Sequence, residues 1–224
     1  MNKRITLAGA GLWLVAQMAL AAAPVAVVED LRGKVAGLEF MDYVAPGRVI
    51  VLGPKDVLVL GYLRSCWRET ITGGTVTVGE AQSVVLAGRV ERSQVACGGS
   101  RAQAVPREAT QGAATVFRSM QPRPLAGAQP VPLVHGRSPI FEVGAQRGRL
   151  VIERVDELSE RVDLEVAGKG LVHGLFFDLA RTGIELTPGA TYNASLGALT
   201  LEFDIARDAK PGATPVAGRL LRFD

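Results

Sequence analysis

Reactive and metal-binding side chains are scarce in this chain. Its 224 residues include two cysteines, Cys66 and Cys97, and two histidines, His135 and His173. The cysteines do not form a Cys-x-x-Cys pair, which argues against a thioredoxin-like redox centre. A zinc site needs about four ligands, and neither histidine has a second ligand at a recognised spacing. There is no Gly-x-Ser-x-Gly elbow and no Gly-x-x-x-x-Gly-Lys-Ser/Thr loop. Gly168-Lys-Gly170 with Gly174 fits no dinucleotide fingerprint and reads as a turn. Aromatics make up only 5% of the chain, and the basic residues form no face interleaved with them, so no nucleic-acid partner is expected. Glu153, Asp156, Glu157 and Glu160 read as a solvated turn. Asp163 and Glu165 share one strand face that Asp178 could approach, but a calcium site there is a minor reading. The sequence therefore predicts no catalytic residues, no metal and no cofactor.

What is present points first to export. Lys3 and Arg4 precede a mostly apolar stretch from Ile5 to Leu20, and Ala19-Leu20-Ala21 is a small-x-small cleavage signal. Residues 1–21 are thus expected to leave as a signal peptide, with cleavage before Ala22. The rival reading, an uncleaved anchor, meets an apolar core that is short for a span and interrupted by Gly9, Gly11 and Gln17. No later segment is long and apolar enough to cross a bilayer as a helix. The expected address is the periplasm of a Gram-negative bacterium, an oxidising compartment in which Cys66 and Cys97 should close a disulfide.

Glycine (26) and proline (12) are frequent, and Val and Leu recur in short runs between them, as in an all-β protein. Charge divides the chain. Residues 22–97 are balanced, residues 98–137 carry five Arg against Glu108 alone, and residues 138–224 are acidic. This suggests an all-β domain over 22–97, a Pro/Ala/Arg-rich linker over 98–137 and a second all-β domain over 138–224. Strands are expected at 34–40, 48–52, 57–63, 69–71, 75–78, 83–86 and 89–96. In the second half they are expected at 140–143, 149–155, 162–166, 172–178, 184–186, 192–196, 199–205 and 218–223. Within the linker, residues 113–120 could form a short helix or a docked strand.

The run Tyr62-Leu-Arg-Ser-Cys-Trp-Arg-Glu-Thr70 is the oddest segment. A nucleophilic Cys66 would need a nearby base, and residues 22–97 contain no histidine. Two readings remain. Trp67 could cover the disulfide beside an Arg68–Glu69 pair, or Tyr62, Arg64, Trp67 and Arg68 could form a binding surface.

Two resemblances bear on fold and function. Gly33-Lys-Val35, Pro46-Gly47, Leu52-Gly53, Val57-Leu-Val-Leu60 and Gly74-Thr-Val-Thr-Val-Gly79 resemble the FecR-like periplasmic domain over about sixty residues. The usual Asp-Gly between its central strands is replaced here by Gly61-Tyr62-Leu63-Arg64-Ser65-Cys66. The cytoplasmic and transmembrane parts of a FecR regulator are also absent, so anti-sigma activity is not implied. Leu186-Thr-Pro-Gly-Ala-Thr-Tyr192 is similar to the tyrosine corner of fibronectin type III and other immunoglobulin-like domains. There Pro188-Gly189 would turn the chain between sheets and the Tyr192 hydroxyl would bond upstream backbone. Together they imply an all-β chain, a FecR-like β-roll or sandwich followed by an immunoglobulin-like β-sandwich. The function implied is non-enzymatic binding, with another envelope protein as partner. The alternatives are a structural or assembly spacer, or a carboxylate-based envelope hydrolase.

Overall fold

The computed structural model describes residues 22–97, 131–157 and 160–223. The expected signal peptide over 1–21 and the expected helix or strand at 113–120 lie outside the described residues. The rest is nearly all β.

The N-terminal half is one antiparallel sheet. Its strands are β1 (Ala26–Arg32), β2 (Tyr43–Val44), β3 (Val49–Tyr62), β4 (Trp67–Thr77), β5 (Val84–Leu86) and β6 (Arg89–Gln94). Their order is β2-β1-β3-β4, with β6 along the first half of β4 and β5 along the second. The long strands bend at one level. β3 is irregular between Leu52 and Val57, where the Asp56 carboxylate accepts the Gly53 N–H at 2.8 Å. β4 passes through Gly73 and Gly74 at φ 63° and 84°. A Cβ at Gly74 would lie 2.4 Å from the Leu86 carbonyl oxygen, so only glycine lets β5 approach. The bend folds the sheet over itself. Ile50, Leu52 and Val76 from one arm share a core with Leu58, Leu60, Tyr62 and Ile71 from the other.

This geometry explains two departures from expectation. The strands expected at 48–52 and 57–63 are one strand, as are those at 69–71 and 75–78. Bulges bend a ladder without ending it, so Gly53-Pro54 and Gly73-Gly74 act as corners. The strand expected at 34–40 is absent. Residues 34–40 instead form turns that tuck Leu38 into the core, and Tyr43–Val44 takes the pairing position on β1.

The C-terminal half contains β7 (Leu133–Gly136), β8 (Ile140–Glu142), β9 (Arg149–Arg154), β10 (Arg161–Glu165), β11 (Leu171–Val172), β12 (Phe176–Asp178), the helical turn α1 (Leu179–Thr182), β13 (Thr191–Leu196), β14 (Leu199–Lys210) and β15 (Leu220–Arg222). A five-stranded sheet runs β10-β9-β13-β14-β7, and a four-stranded sheet runs β11-β12-β8-β15. Both end in parallel pairs, β7 with β14 and β15 with β8. Between them pack Phe141, Leu150, Ile152, Phe177, Tyr192, Phe203 and Leu221. Period-two alternation explains the sandwich, since residues such as Leu150 and Ile152 on β9 all point to one face.

β7 corrects the expected linker, whose composition covers residues 133–136. Backbone pairing to β14 and burial of Val134 hold this strand despite the prolines that precede it. No strand forms at 184–186. The Asp178 carboxylate accepts the Ala180 N–H at 3.0 Å and starts α1, and Gly183 at φ 81° ends it, so the chain turns there instead.

The Cys66–Cys97 disulfide is present, with a Cα–Cα distance of 5.5 Å. Cys66 closes the β3–β4 turn and Cys97 follows β6. β6 is largely exposed, so its ladder to β4, the Arg92–Glu69 ion pair and this bond are its main anchors. Replacing both cysteines with serine should preserve the sheet but lower unfolding free energy in urea by ~3–4 kcal/mol. A loss below ~1 kcal/mol would show that the bond is not a staple.

Candidate functional site

Alternation along β1 sends Ala26 and Val28 into the sheet's own core, while Val27 faces the C-terminal sandwich. Val27 and Met41 there join Ile140, Val172, Phe176, Val216, Ala217 and Leu220 in one buried cluster, with Tyr43 and Cys97 packed against it. This seam joins the two halves.

Glu29 crosses the seam. It sits at the β1 bulge between Val28 and Asp30, where the register with β3 shifts. Its side chain is fully buried. One oxygen accepts the Arg68 Nε–H at 2.7 Å and the other accepts the Ala217 N–H at 3.0 Å. Gly61 on β3 makes room for it, since a Cβ there would lie 2.3 Å from Glu29 Oε1. A second tie lies nearby. The Tyr43 hydroxyl donates to Glu142 Oε2 at 2.8 Å, and Arg222 Nε donates to the same oxygen at 2.9 Å. The Arg222 guanidinium also lies 6.0 Å from the Tyr43 ring centroid. A third joins His173 Nδ1 to Glu39 at 3.1 Å, with His173 Nε2 2.6 Å from the Phe40 carbonyl oxygen.

Beside these ties a groove of about 300 Å³ opens between the halves. Val25, Leu63 and Leu220 supply apolar surface, Arg64, Glu80, Glu142 and Arg222 supply charge, and residues 22–24 border it. Clefts of this kind, apolar with a few polar groups, are where proteins usually hold ligands. A smaller cavity of about 210 Å³ lies along Ala96, His135 and Gly218.

Of the four expected binding residues, only Arg64 reaches the groove. Tyr62 is fully buried, and its hydroxyl lies 2.8 Å from Ser83 Oγ, so it offers no contact surface. Trp67 packs against the N-terminal core. Arg68 is committed to Glu29. The expected Arg68–Glu69 pair does not form, because neighbours on a strand face opposite ways. Glu69 is fully buried on the other face, accepting the Ser83 N–H at 3.1 Å and the Arg92 Nε–H at 2.7 Å.

The tyrosine-corner segment forms the local contact that its sequence suggested. The Tyr192 hydroxyl accepts the Thr187 N–H at 2.8 Å and donates to Glu160, while its ring stacks on Phe203. Leu186 is buried, and Pro188-Gly189 makes the turn. Phe203 thus fills sandwich core, whereas Phe176 goes to the seam against Tyr43.

Each buried carboxylate is held by an arginine rather than by a second carboxylate. Glu29 has Arg68, Glu69 has Arg92, and Asp178 has Arg219. Arg219 is itself buried, which pulls its guanidinium below its ordinary value, and Asp178 opposes that shift. Its Nε also donates to the Ser138 carbonyl at 2.7 Å. Asp163 is paired with Arg149 at 3.2 Å on the opposite sheet from Asp178, so the candidate calcium residues do not converge. Among the described residues no three of His, Cys, Asp and Glu are gathered as a metal would need. No family model, curated protein or solved structure matches this chain.

Glu29, Tyr43, Glu142 and Arg222 are functional candidates that sequence reasoning alone does not reach. Glu29 has only a weak signal, as the first of the acidic pair Glu29-Asp30 directly after the apolar run Val25-Ala-Val-Val28. The others have none, because the sequence does not show which strand faces which across the seam.

Replacing Glu29 with Ala leaves the Ala217 N–H unpaired and Arg68 without its partner. Because Arg68 is partly exposed, the expected loss is ~2–3 kcal/mol, below the usual cost of stranding a fully buried charge. Chemical denaturation measures it, and an unchanged midpoint would refute the tie.

All three tyrosines are perturbed upward. Burial pushes Tyr62 and Tyr192 to about 12 and drives Tyr43 further, with Glu142 adding to the last. The folded protein holds these protons more tightly than the unfolded chain, whose phenols titrate near ~10. The stability they contribute is therefore complete below pH ~10 and falls as pH rises towards 12. Phenolate absorbance of the native protein should stay flat through pH ~10 and rise only near unfolding. A normal titration at ~10 would contradict the burial.

Proposed function

We propose that this protein is an exported, non-enzymatic binding component of the bacterial envelope, and that it takes its partner in the groove between its two halves. The observation that carries this reading is the groove itself. Its walls come from both halves, which the seam locks together, and it offers apolar surface beside Arg64, Glu80 and Arg222. That chemistry suits a short extended segment of another envelope protein, with aliphatic side chains and charged flanks. The disulfide is compatible with an oxidising compartment. The FecR-like and immunoglobulin-like resemblances belong to the same proposal.

The binding surface is thus moved from the Tyr62–Trp67 neighbourhood to the seam, with Arg64 common to both. A spacer role is the second reading, favoured by the rigid junction through Glu29 and the apolar cluster. A carboxylate-based hydrolase is disfavoured, because a glycosidase-type pair needs two convergent carboxylates and the buried ones here are each matched to arginine.

A photo-crosslinking residue at Glu80, in cells expressing the protein, should give a discrete adduct. The same residue at Leu175, exposed on the C-terminal half, should not. Arg64→Glu should reduce the Glu80 adduct by ~10-fold through lost charge matching. Equal labelling from Glu80 and Leu175, or none from either, would reject the groove as the partner site.

A further inference from the structure

β15 ends the four-stranded sheet, paired on one side with β8. The register is parallel and sets Leu220 beside Ile140, Leu221 beside Phe141 and Arg222 beside Glu142. The Ile140 N–H bonds the Arg219 carbonyl at 2.8 Å, which fixes the phase of the ladder. In a parallel pair every second residue turns both backbone groups to its neighbour. Leu221 therefore faces β8, and Leu220 and Arg222 turn their N–H and C=O groups the other way. Among the described residues no other hydrogen bond takes those groups.

The groove lies beside that edge. Leu220 packs in the seam cluster and Leu221 in the sandwich core, so their side chains leave β15 on opposite faces. Both line the groove nevertheless, and so does Arg222. Consecutive residues with opposed side chains share one cleft only where it runs along the strand's edge. Edges elsewhere are blunted by charge, with Arg161, Asp163 and Glu165 on β10 and Arg89, Glu91 and Arg92 on β6. On β15 the one charge, Arg222, is turned back onto Glu142 of β8, and Val25 and Leu63 of the other half line the same cleft.

We infer that the partner enters the groove as a β-strand and extends the four-stranded sheet along β15. This rests on the groove being the partner site. The backbone selects the occupant. Leu220 and Arg222 present donors and acceptors at every second residue, a repeat that an extended peptide matches. A helix bonds its backbone groups within itself and has none to offer along its length. The added strand's alternate side chains lie against Val25 and Leu63, so they are aliphatic. It carries no proline at the positions that donate to β15.

Residue-resolved amide exchange tests this, on the free protein and on the adduct purified from cells carrying the photo-crosslinking residue at Glu80. In the free protein Leu220 and Arg222 should exchange at least ~10-fold faster than Leu221, whose N–H is bonded to β8. In the adduct both should slow to the rate of Leu221. Equal protection of all three in the free protein means that the edge is already closed, and overturns the inference. An adduct in which Leu220 and Arg222 still exchange fast overturns it too, but leaves the groove as the partner site. Absence of any adduct removes both. A pair of variants gives an independent reading. Arg222→Ala and Arg222→Pro both lose the guanidinium, but only proline removes the outward N–H, which takes no part in the ladder to β8. The adduct should fall by a further ~10-fold in Arg222→Pro. Equal adducts from the two variants would count against strand addition.

Discussion

The carboxylate of Glu29, buried between two β units, is the contact on which the arrangement of the two halves depends. It is placed by a bulge in β1 and given space by Gly61, and it is held by Arg68 from its own sheet. Its remaining oxygen takes the Ala217 N–H from the other half of the chain. The apolar cluster around it supplies most of the attraction, since each fully buried aliphatic or aromatic side chain contributes roughly 1.5–3 kcal/mol. That attraction is not directional. The hydrogen bond from Ala217 is, and it fixes where the two surfaces meet.

The groove is a consequence of that junction. Tyr43, Glu142 and Arg222 form a second tie beside it, and the space left between the ties and residues 22–25 is the cleft. The bend in β3 and β4 serves the same end. It closes the N-terminal core within one sheet and so leaves β1 free to present Val27 and Glu29 to the second half. The disulfide secures the β3–β4 turn, whose Leu63 and Arg64 line the cleft, to the end of β6. Interface, cleft and staple are thus one mechanical unit.

Much of this is legible in the chain. Val57-Leu-Val-Leu60 and Thr75-Val-Thr-Val78 show strand periodicity, and a single pair of cysteines allows only one intramolecular bond. Leu186-Thr-Pro-Gly-Ala-Thr-Tyr192 foretells a tyrosine hydroxyl on upstream backbone. Other features mislead for identifiable reasons. Glycine pairs look alike whether they end a strand or bend it, so β3 and β4 each read as two strands. Proline-rich composition hides β7, whose stability comes from a partner some seventy residues away in sequence. Tyr62 and Arg68 look like surface chemistry because their neighbours are unusual, but one is a core residue and the other an internal counter-ion.

The β class, the approximate strand positions, the cysteine bond and the scarcity of reactive side chains are all properties of the chain read along its length. They depend on local periodicity and on which side chains exist at all. Three features instead arise only when the strands pack on one another. Glu29 bridges the halves, Arg64 borders a cleft while Tyr62 does not, and Val49, Val51, Val84 and Leu86 remain uncovered. Each of these depends on which strand faces meet. Alternation sorts residues into two sides of a strand, but it does not say what lies opposite either side.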